Sequence, residues 1–201
     1  MSARDAILAA VRANLPSGRH DRPALPAFPV AEPDGRLATF ARNLKQMGGQ
    51  ILDTSSDVDP LTALRDRLSG AGIVCSAVPE ITGNRPLVAV AHPKAMADVD
   101  VAVVRAAFAV AETGSVLFTE AQLQENALVY LAQHLVVLVD PADIGSSIQD
   151  AYRRCELHEA GYAVFHTGPS ATADIEGVLV HGAQGVRSLS VVFFARNKEG
   201  N

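Results

Sequence analysis

Leu135 to Val139 form an unbroken apolar run, closed by Asp140-Pro141. A segment this short and this apolar reads as a strand covered on both faces. The acid and proline behind it read as an N-cap and first position of a helix, expected to run to about Glu156. A strand buried on both sides needs a layer above and below it, so the run points to a layered α/β protein. Tyr162 to His166 reads as the next strand, and Ser188 to Ala195 as a last apolar one.

The upstream segments fit the same scheme. Leu37, Phe40, Leu44 and Met47 mark one face of a helix that ends at Gly48-Gly49. Gln50 to Asp53 is a short strand candidate. Asp59-Pro60 opens a helix lined by Leu61, Leu64 and Leu68 up to Gly70. Ile73 to Ser76, Leu87 to Val90, Val101 to Val104 and Ser115 to Phe118 read as strands. The run Arg105 to Ala111 fits either helix or strand. The expected fold class is α/β, with a mixed, mostly parallel sheet and helices on both faces.

Residues 1–33 stand apart from this pattern. Ser2 and Asp5 have capping-box spacing, and Ile7, Leu8, Val11 and Leu15 repeat at helical intervals. Pro16 to Pro33 holds five of the eleven prolines in eighteen residues, which reads as an extended arm or tether. The division is therefore residues 1–33, helix and arm, and residues 34–201, one compact domain.

Composition narrows the function. Seventeen basic and twenty-two acidic residues give a formal charge of −5, and no Lys/Arg run supplies a surface for nucleic acid. No apolar run approaches the roughly 20 residues of a membrane span, and the N-terminus lacks the apolar stretch of a secretory signal. Cys75 and Cys155 form no CxxC pair and are too few for a four-cysteine metal or cluster site. They read as small buried residues of a reduced, cytoplasmic protein.

Dinucleotide, P-loop and serine-hydrolase signatures (GxGxxG, GxxxxGK[ST] and GxSxG) do not occur. His20, His92, His134, His158, His166 and His181 show no metal-ligand spacing, so no metal site is expected. Two turns carry unusual chemistry. Glu112-Thr113-Gly114-Ser115 combines a carboxylate, two hydroxyls and a glycine. Glu112 there is a candidate nucleophile or general base, or a turn residue bonding the Gly114 or Ser115 backbone. In Gly168-Pro169-Ser170-Ala171-Thr172-Ala173-Asp174-Ile175-Glu176, Ser170 or Thr172 is expected to cap a short helix whose free N–H groups suit an anion. The alternative is a purely structural cap, with Asp174 complementing the helix dipole.

Together with His181-Gly182-Ala183-Gln184-Gly185, these turns resemble the LUD-domain family, most closely its lactate-utilisation protein C branch. The resemblance spans the whole chain, and the GPS-x-TADIE string is its most specific element. It implies a fold like the NagB/RpiA/CoA-transferase class. It also implies a subunit role in oxidising L-lactate to pyruvate, with iron–sulfur partner proteins carrying the clusters and no cofactor in this chain. The ligand would be a small 2-hydroxy acid or another anion. Carried over residue by residue, Glu112 and Asp174 are the catalytic candidates. The substrate-binding candidates are Thr113, Gly114, Ser115, Gly168, Pro169, Ser170, Thr172, Glu176, His181 and Gly182.

The chain departs from the family pattern at Ala171, where a basic residue is usual, and at His181-Gly182-Ala183-Gln184-Gly185-Val186, where the family commonly reads HGxHGP. Arg187 and Arg153 are the cations that could compensate. Two other functions are compatible with the sequence. One is a free-standing enzyme using Glu112 as a CoA-transferase-like nucleophile or an isomerase base. The other is an interaction or regulatory module without catalysis.

Overall fold

The computed structural model describes residues 2–16, 18, 23, 26, 28–32, 34–52, 59, 61–87, 92–173 and 178–196, with the backbone alone at 155, 156, 173, 179 and 181. The chain begins with α1 (Ala3–Ala13), α2 (Arg36–Gln46), β1 (Gln50–Ile51), α3 (Thr62–Ser69) and β2 (Val74–Ser76). Then come β3 (Val101–Arg105), β4 (Phe108–Val110), β5 (Ser115–Thr119), α4 (Glu120–Leu123), α5 (Leu128–Leu131) and β6 (His134–Val139). The last part holds β7 (Ile144–Gly145), α6 (Ile148–Tyr152), α7 (Cys155–Glu159), β8 (Ala163–His166), β9 (Ala171–Ala173), β10 (Leu179–His181) and β11 (Ser188–Phe193).

The expected α/β architecture is present, with the strands divided among three sheets. The first is all parallel, ordered β1-β11-β6-β3-β2, and β6, the unbroken apolar run, sits at its centre. The second is ordered β7-β4-β5-β8, with β4–β5 and β5–β8 antiparallel and β4–β7 parallel. β9 and β10 form a separate antiparallel pair.

Side-chain alternation makes the layers. Val136 and Leu138 of β6, Val103 of β3 and Val192 of β11 pack under Leu61, Leu64 and Leu68 on the α3 side. The intervening residues, Leu135, Val137, Val139, Ala102, Val104, Leu189 and Val191, face the second sheet and meet Ala109, Val116 and Phe118 there. Phe40 and Leu44 of α2 and Leu128 and Val129 of α5 complete that core. The far side of the second sheet packs Phe108, Val110 and Leu117 against Ala151 of α6.

Several expectations change in detail. On α2 the buried residues are Thr39, Phe40 and Leu44, while Leu37 and Met47 are 42% and 51% exposed. The run Arg105 to Ala111 is strand rather than helix. It crosses from β3 to β4 through Ala106 and Ala107, whose N–H groups donate to Leu138 O and Leu117 O, one in each sheet. Asp140 caps only a 3₁₀ turn at Pro141–Asp143, not a helix running to Glu156. There Ile144 and Gly145 leave helical geometry to pair with Ala109 and Val110, and Phe108 lies where a Cβ on Gly145 would sit. The strand expected at Leu87 to Val90 falls mostly outside the described residues, as does the side chain of Cys155, whereas Cys75 is buried.

The delayed helix, α6, has its own start. Ser147 Oγ accepts from Asp150 N at 3.2 Å, and the Asp150 carboxylate accepts from Ser147 N at 2.9 Å. Those bonds, the Ser147 N–H foremost, hold the Asp150 carboxyl below its ordinary range. Ser147→Ala is expected to lower unfolding stability by about 1 kcal/mol, read as a shifted urea midpoint with unchanged slope.

At the N-terminus the capping box of Ser2 and Asp5 is formed, with bonds of 3.2 and 3.1 Å. No residue of α1 is buried, and Ile7, Val11 and Leu15 are all exposed. The arm touches the domain where Gln149 Nε2 donates to Pro26 O at 3.1 Å. No described helix is long and apolar enough to cross a membrane.

Candidate functional site

The turn Glu112 to Ser115 joins β4 to β5 and is held from two sides, by the end of β7 and by α2. Ala111 N and Glu112 N donate to Gly145 O and Ser146 O at 2.8 and 2.9 Å. Asn43 Nδ2 on α2 donates to Ala111 O at 2.8 Å and Glu112 O at 3.0 Å. Gly114 has φ +69°, and a Cβ there would lie 2.3 Å from Leu44 N. Only glycine allows α2 to approach this closely.

The Glu112 side chain turns toward α6. Its Oε2 accepts from Ile148 N at 3.0 Å, so the backbone partner is Ile148 rather than Gly114 or Ser115. Beside it runs a row of three hydroxyls. Thr113 Oγ1 and Ser115 Oγ are 2.7 Å apart, and Ser115 Oγ and Thr167 Oγ1 are 2.5 Å apart. Three hydroxyl protons serve two internal bonds. One proton is therefore left to donate outside the row, and the bonds within the row polarise it.

Thr167 directly follows β8 and reaches the row from the second sheet's edge strand. Sequence reasoning passed over it, although a hydroxyl between a strand and a glycine was a readable signal. Asn43 and Gln46 were equally unforeseen, because their turn of α2 looked like ordinary helix surface. With Met47, Glu112 and the hydroxyl row they line a cavity of about 360 Å³. Among its described lining residues, Glu112 is the only ionisable side chain.

The second loop differs from expectation. Ala171 to Ala173 form a strand paired with Leu179 to His181, not a helix, so no helix N-terminus opens at Ser170 or Thr172. The described backbone is committed to Gly182, Val186 and the β10 ladder, which leaves no fan of free N–H groups among the described residues of the loop. The Ser170 hydroxyl donates to Gln184 O, and Thr172 is exposed opposite Val180. Gly168 has φ +72°, and a Cβ there would lie 2.1 Å from Met47 O. The two loops therefore clamp the last turn of α2 from both sides.

Pro169 and Ser170 line a different, neighbouring cavity, together with Gly168. Gly182, φ +72°, leads the chain out of β10 against the Arg187 side chain. The backbone of His181 pairs with Ala171. Asp174 and Glu176 lie outside the described residues. Thus Glu112, Thr113 and Ser115 come together, Gly114 and Gly168 position them, and Ser170 and Thr172 stand apart. Arg153 is paired with Asp150 at 3.1 Å, so it does not supply the missing cation. Among the described residues, no three His, Cys, Asp or Glu side chains converge as a metal site would require.

The family model of the LUD domain matches residues 88–194, a stretch that includes both loops. Among solved structures, the chain is similar to a DUF162 family protein from Deinococcus radiodurans, with a TM-score of 0.57 and 17% identity over 78% of this chain and 94% of that one. At that identity the likeness is one of fold. No curated protein matches the chain.

Proposed function

The chain belongs to the LUD domain family, which is associated with lactate utilisation, and on that premise we propose that it is the cluster-free subunit of a system oxidising L-lactate to pyruvate. The observation that carries this reading is the Thr113–Ser115–Thr167 hydroxyl row beside Glu112, inside the matched stretch and next to a cavity sized for a small 2-hydroxy acid. Oxidation of lactate to pyruvate releases two electrons and two protons, one from the hydroxyl and one from Cα, and the Cα proton passes to water while the electrons leave for the partner subunits. Glu112 is the group that takes the hydroxyl proton. The free donor of the hydroxyl row holds a substrate oxygen, and Asn43 fixes the turn that presents both.

Iron–sulfur centres in partner subunits would accept the electrons, as the family resemblance implies. The exposed Ile7 and Val11 of α1 and Leu15 just beyond it support an assembly of this kind. Asp174 remains a second acidic candidate on the resemblance alone.

The test is lactate-dependent dye reduction by anaerobically reconstituted iron–sulfur partners, with and without this chain. Omitting the chain should abolish activity, and Glu112→Gln should lower it at least about tenfold, equivalent to roughly 1.4 kcal/mol of barrier. Full activity without the chain would overturn the subunit reading. Full activity with Glu112→Gln would remove Glu112 from the proton-transfer role.

A further inference from the structure

Successive residues of a strand point to opposite sides. While Thr167 joins the hydroxyl row, His166 borders an adjoining cavity of about 260 Å³ that shares Thr167 with the Glu112 cavity. Its walls include Tyr130, Phe165, Pro169, Ser170 and Gln184. No Lys, Arg, Asp or Glu is among its described lining residues. The His166 ring stands edge-on to Phe118 at 5.5 Å and tilted against Tyr130 at 5.2 Å. Its Nε2 is buried and has no hydrogen-bond partner among the described residues.

Buried polar atoms in folded proteins are nearly always paired, so an orphan imidazole nitrogen beside a cavity calls for a polar partner inside it, the oxygen of a water or of a ligand. Burial pushes the imidazole down to about 4, which keeps it neutral near pH 7. A neutral imidazole can donate or accept at Nε2, according to its tautomer. Uncharged walls would leave a carboxylate or phosphate unpaired, whereas aromatic walls favour a flat apolar body. The volume lies below the roughly 300–1,000 Å³ of clefts that take drug-sized molecules, which limits the ligand to about one ring.

We propose that this cavity binds an uncharged one-ring compound carrying a hydroxyl or carbonyl oxygen, and that His166 Nε2 hydrogen-bonds that oxygen. Tyr130 is the gate. It is 40% exposed, lies against the imidazole, and its hydroxyl is tethered to that of Tyr162. Its rotation uncovers Nε2. The site adjoins the Glu112 cavity, and the two meet at Thr167, just past the end of β8. Its occupancy does not depend on lactate being the substrate of the other.

The experiment titrates the full chain with p-cresol and, separately, toluene, following the His166 ring signals by NMR. Binding of p-cresol should saturate, shift those signals, and be about fivefold or more tighter than binding of toluene, the discrimination expected of one net hydrogen bond. His166→Phe should bring p-cresol down to the affinity of toluene. Gln184→Trp, placed at an exposed position of the lining, should block p-cresol without altering the melting temperature, and it serves if His166→Phe does not fold. Equal affinity for the two compounds, unmoved His166 signals, or p-cresol binding undiminished in Gln184→Trp would overturn the assignment and leave the orphan nitrogen to an ordered water.

Discussion

Alanine at Gly114 is expected to lower unfolding stability by about 3–5 kcal/mol, combining left-handed strain with forced overpacking. The added Cβ would meet main-chain atoms, 2.3 Å from Leu44 N and 2.6 Å from Leu44 Cα, which cannot rotate away as a side chain would. Relief requires moving α2 off the second sheet, and Phe40 and Leu44 would leave the central core with it. Gly168→Ala should be comparable, since its Cβ falls 2.1 Å from Met47 O on the other side of the same helix end. Against a total of about 5–15 kcal/mol, either change removes a large share of the fold's margin.

Gly35→Ala is the control. Its φ is +87°, yet nothing lies within 4 Å of the added carbon, so only the conformational cost of about 1–2 kcal/mol applies. Urea unfolding of the three variants separates the effects. If Gly114→Ala were no worse than Gly35→Ala, the close approach of α2 to the Glu112 turn would be wrong.

His166 should make stability depend on pH in a window where few other groups contribute. Its pKa falls from 6.5 to about 4 through burial alone. The unfolded chain therefore takes up a proton below pH 6.5 while the folded one does not, so stability falls as the pH drops from 6.5 to about 4 and levels off below. The full span is on the order of 3 kcal/mol, of which about 2 is lost between pH 7 and pH 5. The depressed carboxyls of Asp59, Asp98, Asp140, Asp150 and Glu120 act in the same direction but at lower pH, below their ordinary values. His166→Phe retains an aromatic ring and should erase the pH 7 to 5 component. Urea denaturation at both pH values checks this, and an equal pH dependence in the variant and the parent would show that His166 titrates as an exposed histidine.

The layers were legible because burial on both faces leaves a continuous apolar run, and Leu135 to Val139 is the centre of the parallel sheet. Helical spacing likewise marked Leu61, Leu64 and Leu68, all of which are buried. Local capping chemistry was readable at Ser2 and Asp5, where both partners lie three residues apart. The same local logic misled at Asp140-Pro141 and at Ser170 to Ala173. In both places backbone pairing with a segment distant in sequence outweighed the helix signal, Ile144 and Gly145 with β4 and Ala171 to Ala173 with β10.

Residue types at the Glu112 turn announced chemistry, and local pattern in the chain was enough for the layered class, the central strand, the Glu112 turn and the family. Tertiary packing settled that Thr167 completes the hydroxyl row, that Asn43 holds the turn, and that His166 Nε2 is buried without a hydrogen-bond partner among the described residues. Those facts depend on which strand end meets which helix end. A hydrogen bond spanning fifty-two residues, such as that of Ser115 with Thr167, leaves no periodic trace in the chain that makes it.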